Sequence, residues 1–208
     1  MNNDFKTLAS DEVIQRTIRA LKVNGIDAEV VHTAKDAKEK VLSLIPEGSE
    51  VFAKTSETTR SIGLLDAIDE SGTYKSVRKE LMSLNRQTQS REMQKIGAAP
   101  EYQVGSVHAI TEDGHVYIAS NTGSQLPADA YGAGHVIWVV GAQKIVKDSE
   151  SAFKRIYDYV LPLESVRARK AYSLPDSWNS NVSKLLIVNK EVVPGRITVV
   201  FVKEELGF

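Results

Sequence analysis

The amino-acid sequence predicts an α/β protein, an open and mostly parallel sheet flanked by helices and carrying one β-hairpin. Three observations lead there. Helical and strand periods alternate with short turns from Ser10 to Ile68, the pattern of parallel strands covered by helices. Asp113-Gly114 separates two β-rich runs, a hairpin signal. His135 to Val140 is almost continuously apolar, as in a strand buried on both faces.

Ser10 is placed to cap a helix running to about Val23, with Val13, Ile14, Ile18 and Leu21 at helical spacing and Asn24-Gly25 as its stop. Ile26 to Val31 reads as a strand. Thr33 opens a second helix, with Ala37, Val41, Leu42 and Ile45 on one face and Pro46-Glu47-Gly48 as its end. Glu50 to Ala53 is a short strand, and a helix carrying Ile62, Leu64, Leu65 and Ile68 follows it. Tyr74 to Ile96 is polar and reads as one or two exposed helices. Glu101 to Ser120 supplies the hairpin, with Val107 and Ile110 before the turn and Val116 to Ile118 after it. A helix from Ser151 to about Val160 is expected to be interrupted by Pro162, with a second piece from Leu163 to Lys170. Lys184 to Val188 and Ile197 to Val202 close the chain as two strands around Pro194-Gly195.

The 208 residues fit one domain, 1–208, with no repeat or linker. A net charge of −1 argues against nucleic acid or an anionic membrane as partner, because clustered Lys and Arg hold such partners. The absence of cysteine excludes disulfides, thiolate metal sites and thiol nucleophiles. No secretory signal or membrane-length apolar run is visible, so a soluble cytoplasmic protein is expected.

Two polar loops stand out. Lys54-Thr55-Ser56-Glu57-Thr58-Thr59 follows a strand and leads into a helix, where free N–H groups and hydroxyls suit an anion and Lys54 could neutralise it. Helix capping by the same Ser and Thr is an equal alternative. The glycines of a P-loop are missing. Asn121-Thr122-Gly123-Ser124-Gln125 follows the hairpin. Gly123 would let its backbone approach a ligand, although a plain turn explains it as well. Gly132-Ala133-Gly134 is not a dinucleotide fingerprint, because it precedes a strand and lacks the third glycine, so no cofactor is expected.

His32, His108, His115 and His135 have no close metal-ligand spacing, and no metal site is expected. His108, near Ser106 and ahead of Glu112 and Asp113, could move protons near neutral pH or be a hydrogen-bonded structural residue. Glu112 and Asp113 have a sufficient role as turn residues. Lys144, Arg155, Arg167 and Arg169 read as dispersed cations, mostly solvated, with Arg167 aimed back at the sheet edge.

The strand and polar turn at Val51 to Gly63, the segment Gly105-Ser106-Val107-His108-Ala109-Ile110 with Asn121-Thr122-Gly123-Ser124, and the passage from His135 to Val146 together resemble the lactate-utilisation, or LUD-domain, family. The resemblance covers most of the chain and lies in the order and spacing of these segments. It implies a fold similar to the sugar-phosphate isomerase and CoA-transferase group. It also implies a place in lactate oxidation beside iron–sulfur partner proteins, whose clusters this cysteine-free chain cannot hold through thiolates. Where many members have Thr-Gly-Ala and an acidic residue before the Thr-Gly loop, this chain has Val107-His108-Ala109 and Asn121.

The leading expectation is therefore a protein binding a small anionic metabolite, a hydroxy- or oxo-acid. Lys54, Thr55, Ser56, Thr58 and Thr59 would face Asn121, Thr122, Gly123 and Ser124, with His108 or Glu112 as acid/base. The alternatives are an isomerase or transferase on a sugar phosphate or CoA thioester, with Glu57, Glu112 or Asp113 as base, and a non-catalytic subunit of an iron–sulfur system.

Overall fold

A computed structural model describes residues 3–208. In its first half, strands β1 (Asp27–Val31), β2 (Glu50–Ala53) and β3 (Lys75–Ser76) alternate with helices α1 (Asp11–Val23), α2 (Ala34–Ser43), α3 (Glu57–Ser61), α4 (Leu64–Asp69), α5 (Val77–Ser83) and α6 (Ser90–Ala98). Strands β4 (Tyr102–Gly105), β5 (Ala109–Thr111), β6 (Val116–Ser120), β7 (His135–Gly141) and β8 (Ile145–Val146) follow. Helices α7 (Ser149–Lys154) and α8 (Leu161–Tyr172) then precede β9 (Lys184–Val188) and β10 (Ile197–Val202). Six strands form one all-parallel sheet in the order β1-β10-β7-β4-β2-β3. A smaller mixed sheet runs β8-β5-β6-β9, with β5 and β6 as the hairpin.

Strand alternation sorts the core into layers. Val136, Trp138 and Val140 of β7, with Val199 and Phe201 of β10, face Ile14, Ile18 and Leu21 of α1 and Ile110, Val116 and Ile118 of the small sheet. Ile137, Val139, Val200 and Val202 face the other way, against Ala37 and Val41 of α2 and Leu64 and Ile68 of α4. The far side of the small sheet packs Ala109 and Tyr117 on Ala152 and Ile156. Local chemistry agrees with this arrangement. Ser10 caps α1, and Thr33 and Asp36 form a capping box on α2.

The structure refines the expected elements at four places. Ala109–Ser120 pairs as the expected hairpin, and ahead of it Tyr102–Gly105 is a further, fully buried parallel strand of the large sheet. The helix after β2 is two short helices, divided at Gly63, whose φ is 65°. Pro162 does not interrupt the late helix. A π-helical turn, Arg155–Val160, precedes it, and the wider turn carries the chain through a residue with no N–H to donate. The last two strands lie where the sequence puts them and belong to different sheets: β9 joins β6 in the small sheet and β10 lies between β1 and β7 in the large one.

Phe201 is fully buried on β10, whereas Val192 is 81% exposed. Phe201→Ala should destabilise the fold by about 3–5 kcal/mol, read as a lowered denaturant midpoint. Val192→Ala should change it by less than about 0.5 kcal/mol.

Candidate functional site

In open parallel sheets the carboxyl edge is where chain reversals leave polar groups unpaired by the sheet. Here β2, β4 and β7 are adjacent, so their next residues meet above that edge: Lys54 after β2, Ser106 after β4 and Ala142-Gln143-Lys144 after β7. The small sheet rises beside them, bringing His108 and the loop after β6. A cavity of about 610 Å³ lies between, lined among others by Lys54, Thr58, Ser106, His108, Asn121 and Lys144.

Lys54 is buried and its ammonium lies 2.9 Å from both oxygens of Asp129, the single fully buried carboxylate among the described residues. Gln103 Nε2 and Trp138 Nε1 also donate to Asp129, at 2.5 and 2.9 Å. Asp129 sits in a π-helical turn, Ala128–Gly132, and Arg196 donates to the carbonyls of Asp129 and Ala130 in it and of Ala133 just after it. Gly105 makes room for this arrangement, since a Cβ there would fall 2.0 Å from Lys54 Cε. Lys54 thus already has its counter-charge.

Lys144, 2% exposed, is held differently. Its Nζ donates to Thr58 Oγ1 at 3.0 Å, Ser106 Oγ at 3.2 Å and the Val107 carbonyl at 3.3 Å, and forms no ion pair among the described residues. Burial, then the charge of Arg155, push its pKa down to about 7. Arg155 is itself fully buried, with its guanidinium 5.1 Å from the centre of the Tyr159 ring and 5.8 Å from that of Phe5. Burial brings its pKa down to about 10.

His108 accepts the Ala119 N–H at Nδ1, 3.1 Å, which leaves the ring proton on Nε2. Burial, then Lys144, Lys54 and Arg155, push its pKa down to about 3. It is therefore a neutral hydrogen-bond donor at neutral pH, not the group titrating near neutrality that its sequence position suggests.

Lys54, Thr55, Ser56, Glu57, Thr58, Asn121, Thr122 and Ser124 all line the one cavity. Thr59 is buried behind it, its hydroxyl on the Lys54 carbonyl and its N–H on Ser56 Oγ, so it caps and braces the loop. Gly123 has φ 83° and forms the turn, lining an adjoining groove. Glu112 and Asp113 lie outside the cavity: Glu112 pairs with Arg16, and Asp113 is exposed beside His115. Arg167 lines the cavity but is bound to Glu164 at 2.6 and 2.7 Å. Lys144 and Arg155, expected on a solvated surface, are instead buried, and Asp129 carries no sequence signal of its burial. A lysine directly following an apolar strand, at Gly141-Ala142-Gln143-Lys144, was the available signal for the first.

A model of the LUD domain matches residues 14–202. The chain belongs to the LUD-domain family. That membership makes this LUD-domain chain a lactate-utilisation-related protein. No curated protein matches it. Among solved structures it is similar to a DUF162 family protein from Deinococcus radiodurans, 12% identical, with a TM-score of 0.56, covering 94% of this chain and 99% of that one. At that identity the likeness speaks for the fold alone. No helix among the described residues is long and apolar enough to cross a membrane.

Two predictions follow from the buried charges. Asp129→Asn leaves Lys54 buried without a counter-charge and should cost about 3–5 kcal/mol of stability, with Lys54→Met in the same chain restoring part of it. For Lys144 the folded-state pKa lies below the unfolded one, 10.5, so the folded chain binds fewer protons between about pH 7 and 10.5 and gains stability as pH rises through that window. Denaturant titrations of Lys144→Met against the parent should show a gap that moves in favour of the parent across that window.

Proposed function

We propose that the cavity binds a small anionic metabolite, a hydroxy- or oxo-acid of organic-acid metabolism. One observation carries this reading: both polar loops open onto a cavity whose floor holds Lys144 without a carboxylate. Arg155 adds a second buried positive charge close enough to depress the pKa values of Lys144 and His108. The single buried carboxylate nearby, Asp129, is committed to Lys54. An anion entering here meets a positive field in a site shielded from water, where such a field is strongest. The hydroxyls of Thr55, Ser56, Thr122 and Ser124 and the amide of Asn121 then orient it, and the neutral His108 offers Nε2–H.

A second reading, an isomerase or transferase acting on a sugar phosphate or CoA thioester, draws on two features. The cavity volume is in the ordinary range for small-molecule sites and exceeds what a three-carbon acid fills, and Glu57 lines it as an available base.

A thermal-shift screen with lactate, pyruvate, sugar phosphates and CoA separates the two. The expected result is stabilisation by the small acids, about 2.7 kcal/mol at a hundredfold excess over Kd, weakened in Lys144→Met. Because an anion favours the ammonium form of Lys144, the lactate shift should shrink as pH rises through about 7. A shift with sugar phosphate or CoA alone would favour the second reading, and no shift with any of them would sink both.

A further inference from the structure

The two buried lysines differ in what they can do chemically. Lys54 is locked as an ammonium by both oxygens of Asp129. Around Lys144 the hydrogens can be assigned. Thr58 Oγ1 spends its own proton on the Leu206 carbonyl, 3.1 Å away, so toward Lys144 it only accepts. The Val107 carbonyl also only accepts. Ser106 Oγ accepts from Nζ while its own hydrogen lies on the Val107 carbonyl at 3.5 Å, a long bond that it can give up to donate to Nζ instead. An ammonium is satisfied by three acceptors. A neutral amine is equally satisfied, with its two N–H groups on Thr58 and Val107 and its lone pair toward the Ser106 hydroxyl. The cradle therefore tolerates loss of the proton without leaving a buried group unpaired.

The groups facing Lys144 favour that loss. Arg155 approaches from the π-helical turn, His108 is neutral, and Lys54 with Asp129 is a closed pair. Glu57 and Glu164 also line the cavity, Glu164 bound to Arg167, but among the described residues no carboxylate lies within ion-pair distance of the amine. A lysine desolvated in a cavity beside another cation is the arrangement that makes an amine nucleophilic.

We propose that Lys144 is an amine nucleophile that condenses with the carbonyl group of a 2-oxo acid held in the cavity, forming a Schiff base. The inference rests on the anion-binding reading above and narrows it to ligands with a carbonyl beside the carboxylate. The Nζ lone pair adds to the carbonyl carbon, the C=O π pair moves to oxygen, and one proton passes from Nζ to that oxygen, giving a carbinolamine. With one further proton from solvent the hydroxyl leaves as water, and the nitrogen lone pair closes the C=N bond of the iminium. Nothing is oxidised or reduced. The hydroxyls that line the cavity remain to hold the carboxylate, in the longer-range field of the buried Arg155, while Lys144 reacts.

Borohydride trapping tests this directly. The chain is incubated with pyruvate or glyoxylate, reduced, and read by intact mass and peptide mapping. The expected result is one adduct per chain, of the mass of the oxo acid less one oxygen atom, mapped to Lys144. Its yield should rise as pH passes upward through about 7. Lactate, which has no carbonyl, should give none. Lys144→Met and Lys144→Arg should both lose the adduct, with circular dichroism confirming which variant is folded. No adduct with either acid, or labelling spread over surface lysines and persisting in the variants, overturns the proposal. Thermal shifts on the same samples separate the two levels: a pyruvate shift without an adduct removes the nucleophile and leaves anion binding, whereas loss of both removes both.

Discussion

Asp129 receives Lys54, Gln103 and Trp138, which belong to the chain just past β2, to β4 and to β7. A buried carboxylate is tolerated only when its lone pairs are satisfied, and these three donors satisfy it from three neighbouring strands of the large sheet. The pairing is worth little as net stabilisation, because taking both ions out of water costs about as much as their attraction returns. Its weight lies in geometry. An ion pair that cannot be broken cheaply fixes where β2, β4 and β7 end relative to the 128–132 turn. The carboxyl edge of those strands carries the cavity. Arg196, on the chain entering β10, bonds the backbone of the same turn and extends the constraint to a fourth strand.

Committing Asp129 to Lys54 also determines the electrostatics of everything above it. Lys144 and Arg155 are left as buried cations that raise the cost of each other's charge, and His108 beside them is held neutral. Burial and the charge of Arg155 bring the unpaired amine of Lys144 close to giving up its proton. Attraction of an acid and availability of a lone pair are opposing demands on a single lysine. They become compatible when another cation carries part of the attraction, as the buried Arg155 does.

The legible parts of the fold were those whose signals are local. Ser10, Thr33 and Asn24-Gly25 mark helix ends through side chains and turns within a few residues, and the apolar run of β7 needs no partner to be recognised. Tyr102–Gly105 was hidden because Gln103 breaks its apolar pattern, and Gln103 is polar on account of Asp129, 26 residues away. The pairing of β9 and β10 with different sheets is decided by tertiary contacts that their own sequences do not encode. The same division holds for the cavity. The two loops were visible from Ser, Thr, Asn and Gly content, whereas Lys144, Arg155 and Asp129 look like ordinary surface charges until the fold buries them. Lys54 is visible as a cation of the loop, but its partner Asp129 is 75 residues away and invisible from the sequence.

The residues after β10 show how far the state of Lys144 depends on distant chain. They run across the carboxyl edge, where Gln143 Nε2 and Thr58 Oγ1 both donate to the Leu206 carbonyl, at 3.0 and 3.1 Å. Gly207, at φ 63°, passes so close that a Cβ would stand 2.6 Å from Thr58 Oγ1. The Leu206 carbonyl takes the Thr58 proton, and this alone makes Thr58 an acceptor toward Lys144. Were that carbonyl elsewhere, Thr58 as well as Ser106 could turn a proton toward the lone pair. The orientation of one hydroxyl, set by the segment that follows the last strand, therefore decides which of the hydroxyls around Lys144 is free to follow its protonation.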